Sequence, residues 1–125
     1  MTAPTTTMTG ALLKVTLNGL GVAPSWFAER MGVTMRTVVR WFDGDPIPAT
    51  VAPELEQLCE RTVDEMRNMV EATEPDDDGT VVLRTYRTDQ RFGSEEWPAS
   101  WHRMLTFRVA EHFRAQGNTV VVEYR

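Results

Sequence analysis

The sequence predicts an α+β protein: an N-terminal all-helical helix-turn-helix domain followed by a small C-terminal strand–helix–strand module. Three observations point there. Glycines and a proline punctuate short amphipathic stretches up to residue 48. An acidic run, EPDDDG, interrupts the chain at Glu74–Gly79. Beyond it the apolar pattern turns from helical spacing to alternation. With 42% hydrophobic and 25% charged residues, the chain has the composition of a folded domain, not of a disordered segment.

Residues 1–10, MTAPTTTMTG, read as a flexible tail, without the basic and apolar regions of a secretory signal. A first helix follows in GALLKVTLNGLG, where Leu13, Leu17 and Leu20 recur at i, i+4, i+7 and Gly21 supplies a left-handed cap. Pro24 suits the first turn of the second helix, PSWFAERM, which Gly32 closes. Val33 turns inward, and Thr34 caps the third helix, MRTVVRWF, which ends at DGDPIP because proline cannot continue it. One long helix is expected from Thr50 to Ala72, with Val51, Leu55, Cys59, Val63, Met66 and Val70 as its apolar stripe.

The acidic run, residues 74–79, reads as a linker, so the helix-turn-helix domain spans 11–73 and the second module 80–125. Asp76, Asp77 and Asp78 lack calcium-loop spacing. TVVLRTYR alternates as a strand, TDQRFGSEE is a loop, and PASWHRMLTFRVAEHFRAQ is a helix with Trp101, Leu105, Val109 and Phe113 on one face. Gly117 ends it, and NTVVVEYR is a second strand. Strand, helix, strand implies a right-handed crossover between parallel strands.

Charge and composition limit the function classes. Thirteen basic against 18 acidic residues leave a net charge of −5, which alone does not suggest a nucleic-acid binder. The acidity is concentrated: residues 51–79 net −8, while residues 1–50 net +1 and residues 80–125 net +2. Twelve arginines to one lysine suit a phage or bacterium of high GC content. No apolar run approaches the ~18 residues of a membrane span. A single cysteine, Cys59, allows neither an internal disulfide nor a multi-cysteine zinc site, and the expected location is the cytoplasm. His102 and His112 lie ten positions apart on one helix, about 15 Å along it and too far to share a metal. No phosphate loop or catalytic carboxylate pair stands out, so no enzymatic activity, metal or cofactor is expected.

The strongest motif is the helix-turn-helix. Ala28 is small where two helices must approach, Gly32 takes the turn conformation, and Val38 and Trp41 lie on the buried face of the third helix. Its N-terminal part then faces outward. The stretch LGVAPSWFAERMGVTMRTVVRWFDGDPIP, residues 20–48, resembles the lambda-repressor/Cro-like (Xre) helix-turn-helix family. The overall order of elements, near PIPATV and WHRMLTFRVAEHF, also looks like the anti-CRISPR-associated autoregulators. Those dimerise through a C-terminal module and repress their own operons at inverted repeats; some also bind their messenger RNA.

If the third helix starts after Thr34, the resemblance implies base contacts from Met35, Arg36, Val39 and Arg40, and phosphate contacts from Lys14 and Thr34. Ala23-Pro24 departs from the polar residue that often binds phosphate at the start of the second helix, and Trp26 and Phe42 are apolar where polar groups are usual. Docking of the second module would account for those two rings. A two-stranded sheet is marginal alone. It needs cover from the N-terminal helices, a second copy of the chain, or both; the exposed strand edges and the Trp- and Phe-rich helix make a homodimer the expectation, held by Trp101, Leu105, Phe113, Val120, Val122 and Tyr124. The expected function is a sequence-specific DNA-binding transcriptional regulator, a dimeric repressor and autoregulator whose partners are double-stranded DNA and a second copy of itself, not a membrane. The alternatives are a protein-interaction module, such as an antitoxin or phage accessory protein, and an RNA-binding autoregulator.

Overall fold

Thr9 sets where the first helix begins. Its Oγ1 accepts the Leu12 N–H at 3.0 Å and caps α1 (Gly10–Leu20). The computed structural model describes residues 8–125, so residues 1–7 of the expected tail lie outside the described residues. Thr9 caps the first helix and Gly10 is its first residue, so neither belongs to the expected tail. α2 (Pro24–Met31), α3 (Met35–Phe42) and α4 (Val51–Glu71) follow, and then β1 (Thr80–Thr85), α5 (Asp89–Phe92), α6 (Ala99–Ala115) and β2 (Thr119–Tyr124). Among the described residues no helix is long and apolar enough to cross a membrane.

The fold is α+β and divides into two compact units, one through Gln57 and one from Leu58 to Arg125. This differs from the boundary expected at the acidic run. The second half of α4 belongs to the second unit, where Met66, Met69 and Val70 pack on a core of Val81, Leu83, Val109, Ala110 and Phe113. Nor is Glu74–Gly79 a free linker. The Asp76 carboxylate accepts the N–H groups of Asp78 and Thr80, each at 2.9 Å, and the Asp76 N–H donates to the Thr80 carbonyl. The run is a tight turn leading into β1, and that carboxylate serves its own backbone.

In the first unit Leu13, Leu17, Leu20, Phe27, Val38 and Trp41 are buried, at about 1.5–3 kcal/mol for each large apolar side chain. α3 packs on both α1 and α2. Gly10 makes the α1–α3 approach feasible: a Cβ there would lie 2.5 Å from the Phe42 carbonyl oxygen and closer still to that of Trp41. α4 contributes Val51 and Leu55 to this unit.

Along α4 the buried face departs from the expected stripe. Val63 is 45% exposed, while Leu58 and Thr62 are buried. Successive steps of four advance about 40° each around a helix turning 100° per residue, so the expected stripe drifts off the buried face. Thr62 holds an inner position because its hydroxyl is fully used: it donates to the Leu58 carbonyl at 2.6 Å and accepts the Trp101 indole N–H at 3.0 Å.

The second unit is built on a two-stranded parallel sheet in the register Thr80↔Thr119 to Thr85↔Tyr124. Val81, Leu83 and Thr85 alternate inward from β1, and α6 packs on both strands. α6 buries Trp101, Leu105, Val109 and Phe113, the face its spacing predicts. The expected loop between β1 and α6 contains a single helical turn, α5, capped by Thr88 and ended by Gly93 at φ 70°. Asp89 of that turn accepts the Ala99 N–H at 2.7 Å, satisfying a donor at the start of α6. Trp97 stacks on Trp101 with centroids 4.1 Å apart, and Arg61 lies over Trp97 while pairing with Glu96.

Candidate nucleic-acid interface

The turn between α2 and α3 is set by backbone geometry. Gly32 has φ 69°, a left-handed value that favours glycine. Gly32 N–H donates to the Glu29 carbonyl and Val33 N–H to that of Ala28, which closes α2. Ala28 is buried. The chain then enters α3 through Thr34, whose Oγ1 accepts the Thr37 N–H at 3.2 Å and lies 3.0 Å from the Thr37 hydroxyl.

α3 has two unlike faces. Val38 and Trp41 point into the core. Met35, Arg36, Val39 and Arg40 are all exposed, with Met35 at 52%. Met35 and Val39, and likewise Arg36 and Arg40, stand one turn apart. The four residues expected to read bases therefore share the outward surface of one helix. Arg36 and Arg40 form no ion pair among the described residues, unlike Arg30, which bonds Glu54 at 2.6 Å. A guanidinium without a carboxylate partner keeps its planar fork of donors available.

The expected phosphate contacts lie at opposite ends of α3. Thr34 is exposed at the N-terminal end, where the amide donors of the first helical turn favour an anion. Lys14, exposed on α1, has its ammonium 5.8 Å from the centroid of the Phe42 ring at the other end. Exposed Asp43 and Asp45 follow α3 and oppose a phosphate there. The electrostatics thus favour phosphate at the Thr34 end and leave Lys14 partly offset. Trp26 and Phe42 are half-buried: Arg30 lies 5.7 Å over Trp26, and Lys14 lies over Phe42. Ala23 precedes α2 with no side-chain capping bond, as its methyl requires.

The residues expected at a dimer surface separate into two groups. Trp101, Leu105 and Phe113 are at most 5% exposed and lie inside the second unit, with no surface left for a partner. The apolar stripe of α6 is covered within its own unit, Val109 and Phe113 by β1 and Trp101 by Thr62 and Trp97, which corrects the expectation for those three. Val120 is half-buried, and Val122 and Tyr124 are about half exposed on β2. Phe107, which the stripe does not include, is 62% exposed on α6. It lines a groove of about 350 Å³ with Val122, Tyr124, Arg103 and Arg114.

His102 is held by its surroundings. Its Nδ1 lies 2.8 Å from the Thr85 hydroxyl, and Tyr86 and Phe92 contact its ring. Burial, and then the charge of Arg125, keep the imidazole below its usual 6.5. No family model matches this chain, and no curated protein matches it.

Proposed function

We propose that the chain is a sequence-specific DNA-binding regulator of the lambda-repressor/Cro-like kind, a dimeric cytoplasmic repressor that occludes a promoter at an inverted repeat. The observation that carries this reading is the outward face of α3, where Arg36 and Arg40 stand exposed without carboxylate partners beside Met35 and Val39. Arg36 supplies two parallel donors to the O6 and N7 of a guanine, a contact of roughly 1–3 kcal/mol. Met35 and Val39 meet thymine methyls. Arg40 reads a base or grips a phosphate, and Thr34 and Lys14 fix the helix on the backbone.

A second reading, a protein-interaction module, is favoured by one feature. Met35 and Val39 put apolar surface on that face in a chain of net charge −5, and both would suit a protein groove. Selection of bound duplexes from a random library separates the two. Enrichment of an inverted repeat supports the repressor; no enrichment supports the interaction module.

A further inference from the structure

We propose that the groove between α6 and β2 is a binding site for a small carboxylate carrying an aromatic or branched apolar body. The proposal goes beyond the DNA reading and does not rest on it. The groove lies wholly within the second unit and has a volume of about 350 Å³, in the range of small-ligand pockets. Phe107, Val122 and Tyr124 wall it, and all three side chains are exposed. One end lies where the two parallel strands finish, at Thr85 and Tyr124.

Arg103, at that end, sets the chemistry of the occupant. Its Nη1 donates to the carbonyl of Tyr86 at 2.8 Å and to that of Arg87 at 2.9 Å, just beyond β1. Two carbonyls on one nitrogen hold the plane of the guanidinium in a fixed direction. They leave Nε and Nη2 without a hydrogen bond among the described residues. No carboxylate pairs with Arg103 among those residues either. Arg103 is half-buried, so water screens its charge only in part. Nε–H and Nη2–H are parallel donors, the fork that the two oxygens of one carboxylate accept.

The other polar groups of the wall are already engaged. Arg114 bonds Glu111 at 2.7 Å, and Glu123 lies 3.6 Å from Arg84. The Thr85 hydroxyl bonds His102 Nδ1, and the Thr106 hydroxyl donates to the His102 carbonyl. Arg87 stands 4.8 Å over the Tyr124 ring and adds positive charge at the Arg103 end. One oriented cation beside an apolar wall matches one carboxylate on a compact apolar body. An acidic peptide would call for a row of such cations, and inorganic phosphate would leave the wall unused.

Amide NMR spectra of the isotope-labelled, full-length protein, titrated with phenylacetate, indoleacetate and isocaproate, test the proposal. At least one of these acids should give saturable shifts at Phe107, Val122 and Tyr124. The matching neutral amide should bind at least about tenfold more weakly, because the fork then meets no charge. Arg103→Lys keeps the charge and loses the fork, so it should weaken binding by about tenfold as well, with the far-UV circular dichroism unchanged. Val122→Glu, at an exposed position, sets a like charge in the groove and should abolish the shifts. No saturable shift from any of the acids, equal binding of acid and amide, or binding undiminished in both variants would overturn the proposal. Acetate or inorganic phosphate binding as tightly as the larger acids would overturn it too, since the wall would then contribute nothing. Shifts that follow protein concentration and not the acids would assign the groove to a second chain. An acidic, strand-forming peptide that binds there more tightly than every acid would assign it to a protein partner, and either result overturns the proposal. If Arg103→Lys fails to fold, Val122→Glu decides. These titrations contain no DNA, so a chain that enriches no duplex can still bind the acids, and a chain that enriches an inverted repeat can fail to.

Discussion

Gly10→Ala is the sharpest probe of how the first unit holds α3. In most helices this change adds stability, because glycine is worse than alanine by about 1 kcal/mol. Here the new methyl would sit 2.5 Å from the Phe42 carbonyl oxygen, 2.8 Å from its carbonyl carbon, and nearer still to the Trp41 oxygen. Those atoms are backbone, so no side chain can swing aside. α1 must shift outward against Leu13 and Leu17, both essentially buried. Overpacking of this kind costs about 1–3 kcal/mol, which outweighs the propensity gain. A domain of this size loses roughly 4–8 °C of thermal midpoint per kcal/mol. Thermal unfolding followed by far-UV circular dichroism, with exposed Ala11→Gly as the propensity control, reads the effect. A Gly10→Ala protein as stable as wild type, or more so, would show that α1 is not pressed against the end of α3.

Three further outcomes are expected. Thr62→Val should destabilise the second unit by about 1–3 kcal/mol, because it strands the Trp101 indole N–H, whereas Thr62→Ser should cost much less; chemical denaturation of the two variants checks this. Because burial and then Arg125 lower the His102 pKa from 6.5, the unfolded chain takes up more protons than the folded one as the pH falls below that value. Stability should therefore be full above about pH 7 and decline on acidification, with a shallower decline in His102→Gln; equal slopes in thermal melts across that range would count against it. Lys14→Ala should weaken binding to all duplexes about equally and flatten the salt dependence by about one unit if its ammonium meets a phosphate, as titrations at two salt concentrations would reveal.

Much of the fold was legible because its punctuation is local. Gly21, Pro24, Gly32 and Thr34 each act on the residues beside them, and all four stand where the sequence placed a cap or a first turn. The outward set on α3 was legible for the same reason: once Thr34 caps the helix, the phase of Val38 and Trp41 leaves Met35, Arg36, Val39 and Arg40 outside. What failed depends on distant partners. Val63 is more apolar than Thr62, yet Thr62 is buried because a tryptophan 39 residues away needs an acceptor. The stripe of Trp101, Leu105 and Phe113 was read correctly as apolar and wrongly as a surface for a second chain. Periodicity says that a face is covered, not by what; the sheet and the end of α4 supply that cover here. Gly10 was counted in the tail and also at the start of the first helix, and nothing nearby in sequence reveals the carbonyls of Trp41 and Phe42 that lie against it. The turn α5 has only four residues, too few for a helical period to show.

The central claim is that the outward face of α3 reads DNA, and a competition titration of wild type and Arg36→Ala tests it most directly. The competitors are the selected duplex, the same duplex changed at single base pairs, and a scrambled duplex. A chain at −5 has little general attraction for DNA, so base contacts should make up a large share of its affinity. The account predicts that wild type prefers the selected duplex. Arg36→Ala should lose about 5- to 150-fold in affinity per half-site, with its sequence preference relaxed at one base pair in each half. Discrimination by Arg36→Ala as strong as that of wild type would contradict the assignment of the reading residues. Equal binding of the selected and scrambled duplexes by wild type, or binding to neither, would contradict the repressor itself.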